Sequence, residues 1–276
     1  MWSRAVILAA GLLGLAGGAG CDGCNDGGFD AAVPDSRPPG GTFSLSWTLS
    51  DQGSGQPVTC DKLDPNATVF VKVSREGTGG LESFSCRGMQ ATSAARFAPG
   101  LYNFTFELHI PAPSGQPLTI ATASAQNAVA IPSAQDVALA PVAFQVNATG
   151  MLQIQLAAGA GANCAGGAGI TGFQISLEHA GGPDDAGCAP VVLALSGGGT
   201  YNANNCSAPV VGRCIESSET LTVASLPSGP YQIHVTGKKA NMNCWSNNDT
   251  LRVPPQGMVF SQTLNLALAS QTPGCP

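Results

Sequence analysis

One stretch of the chain occurs twice, first from Cys60 and again from Cys164. In both copies, apolar residues stand at the ninth, eleventh and thirteenth positions after the cysteine: Val69, Val71 and Val73, and then Phe173, Ile175 and Leu177. Apolar residues that recur with period two indicate a half-buried β-strand. A strand at the same distance from a cysteine in both copies indicates an internal duplication.

Each copy also ends in a turn and a further strand. Tyr102 follows Cys86 by 16 residues, and Tyr231 follows Cys214 by 17. The segment from Tyr102 to His109 alternates most regularly, and about seven such strands can be placed in the first copy. An antiparallel β-sandwich of around 100 residues needs about that number. The sequence therefore predicts an all-β protein of two tandem antiparallel β-sandwiches.

Composition supports an all-β fold and argues against a nucleic-acid partner. The chain has 36 Gly and 20 Pro, which suit turns between short strands and are unfavourable inside helices. Only 10% of residues are charged and the net charge is −6, so no cationic surface for nucleic acid is expected. Ten cysteines are unusual in a reducing compartment unless they bind metal, and no C-x-x-C pair faces another here. An oxidising compartment is predicted.

Alignment of the two copies proposes a disulfide pattern. The equivalent pairs are Cys60–Cys86 and Cys164–Cys214, and the second is longer because about 24 residues are inserted. The insertion, at about residues 180–210, would close on itself as Cys188–Cys206, which leaves Cys244–Cys275. Eight cysteines allow 105 pairings, so this proposal depends on the repeat.

The domain boundaries follow from these segments. We expect a signal peptide at residues 1–20, a flexible tether at 21–41, a first sandwich at 42–148 and a second at 149–276. The tether is rich in Gly, Pro, Asp and Ser and has few apolar residues to offset its ordering entropy. The link between the sandwiches, at residues 147–150, is short, so we expect limited motion between them.

The amino terminus has the pattern of an exported protein. Arg4 and the terminus are positive, residues 5–16 are an apolar run of 12, and small residues follow. A helix of that length spans about 18 Å, too short for the roughly 30 Å core of a membrane.

The segment Leu15-Ala-Gly-Gly-Ala-Gly-Cys21 resembles a bacterial lipobox, although Gly18 stands where leucine is usual. The resemblance implies acylation of Cys21, a membrane partner reached through that anchor, and location in the bacterial envelope. Cleavage without acylation, giving a secreted protein, is the alternative.

The turns before the two tyrosines, with Gly100 and Gly229, resemble the L-P-x-G-x-Y element of carboxypeptidase-regulatory-like, transthyretin-like or immunoglobulin-like sandwiches. The resemblance implies that the glycine makes the turn and the tyrosine begins a core strand. It implies a fold and no specific activity.

Few residues have the pattern of a chemical site. His109 and His234 lie on the strand faces opposite the core, so they are predicted to be solvated. His179 stands beside several carboxylates, and Ser196 only loosely matches the G-x-S-x-G elbow, which needs a following helix. We predict no catalytic residue, no metal site and no cofactor.

These features favour a non-enzymatic, lipid-anchored or secreted bacterial envelope protein with a structural or interaction role. The alternative is a module that binds a surface polysaccharide or protein through loops of the second sandwich. Trp245 is its candidate ligand contact, since it lies beside Cys244 in a polar run. A hydrolase would need a cluster of titratable groups, and the sequence contains no such pattern.

Overall fold

The computed structural model of the protein describes residues 39–275, except 112–115, 160, 181–186, 190, 204–209, 212 and 269–273. Within these ranges, regular structure is β-strand apart from the four-residue helix α1 (Cys60–Leu63) and a 3₁₀ turn at Cys86–Gly88. No helix in the described ranges has the length and apolar character that a membrane span requires.

Residues 42–146 form eight strands in two sheets. The strands are β1 (Thr42–Asp51), β2 (Thr68–Arg75), β3 (Thr78–Ser85), β4 (Gln90–Thr92), β5 (Gly100–Pro111), β6 (Pro117–Ile131), β7 (Asp136–Ala138) and β8 (Val142–Val146). One sheet has the order β3-β2-β5-β6 and is antiparallel throughout. In the other, β1 pairs with β4 on one side and with β7 and then β8 on the other. We call this pair of sheets the first sandwich.

Residues 149–268 form the second sandwich. Its strands are β9 (Thr149–Ala158), β10 (Gly172–His179), β11 (Gly187–Cys188), β12 (Val191–Leu195), β13 (Thr200–Ala203), β14 (Val210–Val211), β15 (Thr220–Pro227), β16 (Gly229–Lys239), β17 (Met242–Val253) and β18 (Val259–Leu268). The order is β11-β10-β16-β17-β18-β9-β15-β12-β13, with β14 also on β10. Only two residue pairs join β17 to β18, so two packed sheets meet along that seam.

Each sandwich encloses its own apolar core. In β1, every second residue from Phe43 to Leu49 is buried, and in β5 every second residue from Tyr102 to Ile110 is buried. The strands of the second sandwich alternate in the same way, from Leu152 in β9 to Val235 in β16. Each fully buried Leu, Val, Ile or Phe contributes roughly 1.5–3 kcal/mol. The predicted all-β, disulfide-stabilised sandwich fold is confirmed.

Strand pairing repeats between the two sandwiches. β2, β5 and β6 are consecutive antiparallel neighbours, and so are β10, β16 and β17. The first strand of each sandwich also lies parallel to its last, β1 with β8 and β9 with β18. The sheets are therefore mixed at these two positions, because the chain returns to its starting edge instead of making another hairpin.

The two turn tyrosines have the same geometry. Tyr102 donates its hydroxyl to the carbonyl of Ala98 at 2.7 Å, and Tyr231 donates to the carbonyl of Pro227 at 2.8 Å, each four residues upstream. Both rings are buried, so this bond satisfies a hydroxyl that would otherwise lack a partner. Of the two turn glycines, Gly229 has a positive φ, at 142°, and Gly100 does not. At Gly100 a β-carbon would meet the guanidinium of Arg75, a flexible side chain that would have to move.

Three elements differ from the sequence prediction. β3 is rich in Gly and Ser, so its pattern gave no strand signal. β6 is a single strand of 15 residues without a regular apolar alternation, because three register shifts interrupt its pairing with β5. The described part of the insertion supplies β12 and β13, and Leu193 and Tyr201 from these strands are core residues.

Candidate functional site

Three disulfides are described, and they join the proposed pairs: two are the equivalent pairs of the repeat, and the third is the pair that remained, Cys244–Cys275. Cys60–Cys86 links α1 to the 3₁₀ turn, Cys164–Cys214 links two loops of the second sandwich, and Cys244–Cys275 fixes the carboxyl-terminal segment to β17. Two predictions lie outside the described residues: acylation of Cys21 and the pair Cys188–Cys206, of which Cys206 and the Cys188 side chain are not described.

The predicted ligand contact Trp245 is buried, with 9% of its surface exposed. The cause is a β-bulge in β17, where Lys238 faces Asn243 and Gly237 faces Trp245, so that Cys244 is the extra residue. Cys244 and Trp245 both join the second core as a result. The ring is thus core packing, and Trp245 is corrected as a ligand contact because a buried ring offers no open face for stacking.

His109 lies on the outer face of its sheet, as predicted, but its side chain is only 13% exposed. It stacks on Phe70 at 4.4 Å between ring centroids, and its Nε2 lies 2.8 Å from Glu107 and 3.0 Å from Thr119. The Lys72 ammonium and the His109 ring both hydrogen-bond the Glu107 carboxylate and hold its pKa below the usual range. The expectation of a solvated histidine is wrong here, because neighbouring outer-face side chains cover the ring.

The other residues considered as candidates for chemistry have structural partners. His234 bonds Asn248 at 2.7 Å, and His179 packs against the ring of Tyr231. The Ser196 hydroxyl accepts a hydrogen bond from the Thr220 amide in a turn. No group of three or more His, Cys, Asp or Glu side chains in the described ranges is placed to hold a metal ion.

A bidentate ion pair lies beside that turn. The Arg213 guanidinium donates to both Glu219 carboxylate oxygens, at 2.8 and 2.7 Å, and also to the Gly198 carbonyl. The hydrogen bonds from Arg213 lower the pKa of Glu219 to about 2. The pair holds the loop that contains Cys214 against the β12–β13 turn, so we assign it a structural role.

The junction between the sandwiches is held by hydrogen bonds from both sides, and it is our candidate site. In the structure the link between β8 and β9 is residues 147–148, because β9 already begins at Thr149. This link has hydrogen bonds to both sandwiches. The Ala148 amide donates to the Asp51 carboxylate of the first sandwich at 2.9 Å, while the Ala148 carbonyl accepts from the Ser228 amide of the second at 2.8 Å. Asn147 accepts from the Gln256 amide at 2.8 Å. These hydrogen bonds restrain the link from both sandwiches.

The loop between β17 and β18 reaches back to the first sandwich. The Gln256 amide side chain donates to the Ile120 carbonyl at 2.6 Å, and Met258 packs against the first core. Gly150 lies under this loop, where a β-carbon would overlap the carbonyl oxygen of Pro254. Only glycine lets β9 approach the loop this closely.

A second set of contacts lies near the first disulfide. Arg252 in β17 donates to the Asp61 carbonyl in α1 at 2.7 Å, and Arg87 forms an ion pair with the Asp61 carboxylate. These groups line an open cleft of about 230 Å³ between the sandwiches. Another cleft, of about 210 Å³, is mainly apolar and is lined by Leu118, Pro254 and Phe260 among others. The two sandwiches thus meet along an extended surface rather than at the link alone.

Asp51 is an ionisable group bonded directly to the link. Its carboxylate accepts from the Ala148 amide and from the amide and hydroxyl of Ser54, and these bonds, that from Ala148 foremost, lower its pKa. Since the folded pKa lies below the unfolded one, the ionised group stabilises the fold above about pH 4, and this contribution is lost as the pH falls through the folded pKa.

We therefore expect Asp51→Asn to lower the free energy of unfolding by about 1 kcal/mol at pH 7, because the new amide keeps at most one of these acceptor oxygens. Denaturant titrations at several pH values measure this. The difference in stability between the two proteins should begin to shrink below about pH 4 and should disappear only when the pH falls below the lowered folded pKa of Asp51, where the wild-type carboxyl is neutral. Asp136→Asn is the matched control, as Asp136 accepts a single exposed bond from Thr42. Equal stability of Asp51→Asn and wild type at pH 7 would contradict this role.

Comparisons with known proteins give only remote similarities. No family model matches the sequence, and no curated protein is significantly similar to it. Among solved structures, a leucine-rich repeat protein from Bacteroides thetaiotaomicron aligns over 82% of this chain, with 10% identity and a TM-score of 0.25. This chain spans only 26% of the length of that protein.

Two pilins align over most of their length. The major pilin of Streptococcus pyogenes matches 83% of this chain and 97% of its own, with 10% identity and a TM-score of 0.29. A variant of the shaft pilin from Lactobacillus rhamnosus GG matches 83% and 99%, with 12% identity and a TM-score of 0.27. Scores this low support no inference about function, which depends here on the residues of the chain itself.

Proposed function

We propose that this chain is a non-enzymatic protein of the bacterial envelope whose two sandwiches act as one stiff unit, anchored to a membrane through Cys21. The observation that carries the proposal is the bonded junction. Asp51 and Ser228 hold the link from opposite sides, and the loop containing Gln256 and Met258 packs on the first core. Hydrogen bonds to the link from both sides, together with the packing of Met258 on the first core, would limit rotation of one sandwich against the other.

The disulfides support the same role. Each sandwich has one disulfide between loops that flank its sheets, and Cys244–Cys275 fixes the segment after β18. These crosslinks restrict the unfolded chain and limit how far a sandwich can extend if it is pulled open. The sequence adds a tether of about 20 residues, which reaches on the order of 25 Å from the anchor. A stiff, crosslinked unit joined to its anchor by this predicted tether suits display at a surface.

The anchor is tested by expressing the full chain in a bacterium that processes lipoproteins. We expect the protein in the membrane fraction, and mass spectrometry should find a diacylglyceryl group on Cys21. At roughly 0.8 kcal/mol per buried methylene, two or more acyl chains hold a protein stably on a membrane. Cys21→Ala should move nearly all of it to the soluble fraction.

Cys24→Ala is the matched control, because Cys24 lies in the same segment but outside the lipobox. It should remain in the membrane fraction. A mature amino terminus without lipid, together with a soluble wild-type protein, would remove the anchor from the proposal. That result would not affect the bonding at the junction, which the stability measurements on Asp51→Asn test separately.

The alternative, a ligand-binding role through the second sandwich, depended mainly on Trp245, which is buried and therefore cannot contact a ligand. Residues 181–186 and 204–209 of the insertion lie outside the described structure. No described residue favours this alternative, so we propose no ligand there.

A further inference from the structure

β3 is an edge strand with little protection against pairing with another chain, since its one protective feature is Glu82, a charged residue that lies opposite buried Val71 on the core face. Among the described residues its only strand neighbour is β2, with which it forms eight residue pairs in unbroken register. It contains no proline, no bulge and a single charged residue, Glu82. Its row of backbone groups on the open side is a template for another strand.

The opposite edge of the same sheet is β6, which has features that protect an edge strand. β6 begins at Pro117 and has three register shifts in its pairing with β5. Proline and bulges are the features that stop an edge strand from pairing with another chain. One sheet thus has a protected edge and an open one, so the openness of β3 is not a general property of this sheet.

We propose that β3 pairs antiparallel with β3 of a second copy of this chain about a two-fold axis. A two-fold axis perpendicular to the sheet keeps each side chain on its own face, and directly opposed residues of antiparallel strands share a face. One residue of β3 must therefore lie opposite the same residue of the second copy, and we name each possible axis by that residue. Only axes through Leu81 or Glu82 pair seven residues of the strand. The Glu82 axis sets two carboxylates directly against each other, which is destabilising. The axis through Leu81 is the register that remains.

This register fits the side chains of β3. Leu81 is 58% exposed, and it meets Leu81 of the second copy on the axis. Glu82 lies opposite Gly80, and Ser83 lies opposite Gly79, so no like charges face each other. Leu81 stands beside Lys72 of β2 on the outer face, where the lysine stem extends the apolar contact. The pairing would join the two four-stranded sheets into one of eight strands. It does not depend on the anchor at Cys21.

The register makes a specific crosslinking prediction. We expect Leu81→Cys in the full mature chain to form a covalent dimer with a short bis-maleimide, since the two thiols lie opposite each other. Ser83→Cys is the matched control on the same exposed face. It lies two residues from the axis, so its two thiols are about 13 Å apart at 3.3 Å per residue. Leu81→Cys should crosslink at least tenfold more than Ser83→Cys, and peptide mapping should exclude links through Cys21 or Cys24.

Sedimentation of the uncrosslinked protein gives the second measurement. Leu81→Lys places two ammonium groups on the axis and should raise the dimer dissociation constant at least tenfold. Leu101→Lys is its control, because Leu101 is 60% exposed but lies on the inner strand β5. A monomeric wild type at millimolar concentration, equal crosslinking at positions 81 and 83, or unchanged association of Leu81→Lys would each overturn the proposal.

Discussion

Replacing Cys164 and Cys214 together with serine will lower the free energy of unfolding of the second sandwich by about 4 kcal/mol. The disulfide closes a loop of 50 residues, and the entropy that this closure removes from the unfolded chain accounts for an effect of that size. The melting temperature should fall by roughly 10 °C or more. Differential scanning calorimetry of the oxidised wild type and the double variant measures both quantities.

The equivalent disulfide of the first sandwich is the internal control. Cys60 and Cys86 close a loop of 26 residues, so the same treatment predicts a loss of about 3.5 kcal/mol when both become serine. The longer loop should therefore give the larger loss by about 0.6 kcal/mol. A double variant at Cys164 and Cys214 that loses less than 1 kcal/mol would show that the disulfide contributes little to stability.

Replacing Asn163 with alanine will destabilise the second sandwich by about 3–5 kcal/mol. Asn163 is fully buried, and its amide oxygen accepts from the Ala158 amide at 2.9 Å. Its amide nitrogen donates to the carbonyls of Leu156 and Ile215, at 2.7 and 3.0 Å. Alanine would leave three buried backbone groups without a partner, and each such group costs about 1–3 kcal/mol. Chemical denaturation measures the loss.

The control for this prediction is Asn66→Ala, since the Asn66 side chain is exposed in a loop of the first sandwich. It should change the stability by less than about 0.5 kcal/mol. Asn163→Asp separates hydrogen bonding from volume, because a carboxylate of nearly equal size still accepts from Ala158 but faces two carbonyl oxygens. If Asn163→Ala and Asn66→Ala had similar effects, the backbone groups at position 163 would be satisfied in another way.

Asn163 is a residue that the sequence could not single out. It stands in a Gly- and Ala-rich segment beside Cys164, where asparagine commonly occurs in loops. Its importance comes from Ile215, which lies 52 residues away and supplies one of the three bonded groups. Pattern analysis cannot show such a contact, because nothing local distinguishes an asparagine with distant partners from a solvated one.

The same limit explains three of the differences between the sequence prediction and the structure. Trp245 lies in a polar run, and only the bulge at Cys244 turns it inward. His109 lies on the outer face as its position predicts, but Phe70 on the neighbouring strand covers it. β3 carries no apolar pattern, so it is a strand because β2 supplies eight pairing partners. In each case the outcome depends on the neighbouring strand.

The amino-acid order by itself determined which faces of the main strands are buried and, through the repeat, the pairs Cys60–Cys86 and Cys164–Cys214. Both follow from local rules, since successive side chains of a strand point to opposite faces and a duplicated segment repeats its spacing. Only the tertiary structure decided how the two sandwiches are held together and which sheet edge is open. Those features arise where segments distant in sequence meet, as Asp51 meets Ala148 and Arg252 meets Asp61. Whether two such surfaces fit depends on the whole fold, and the spacing of residues along the chain does not encode it.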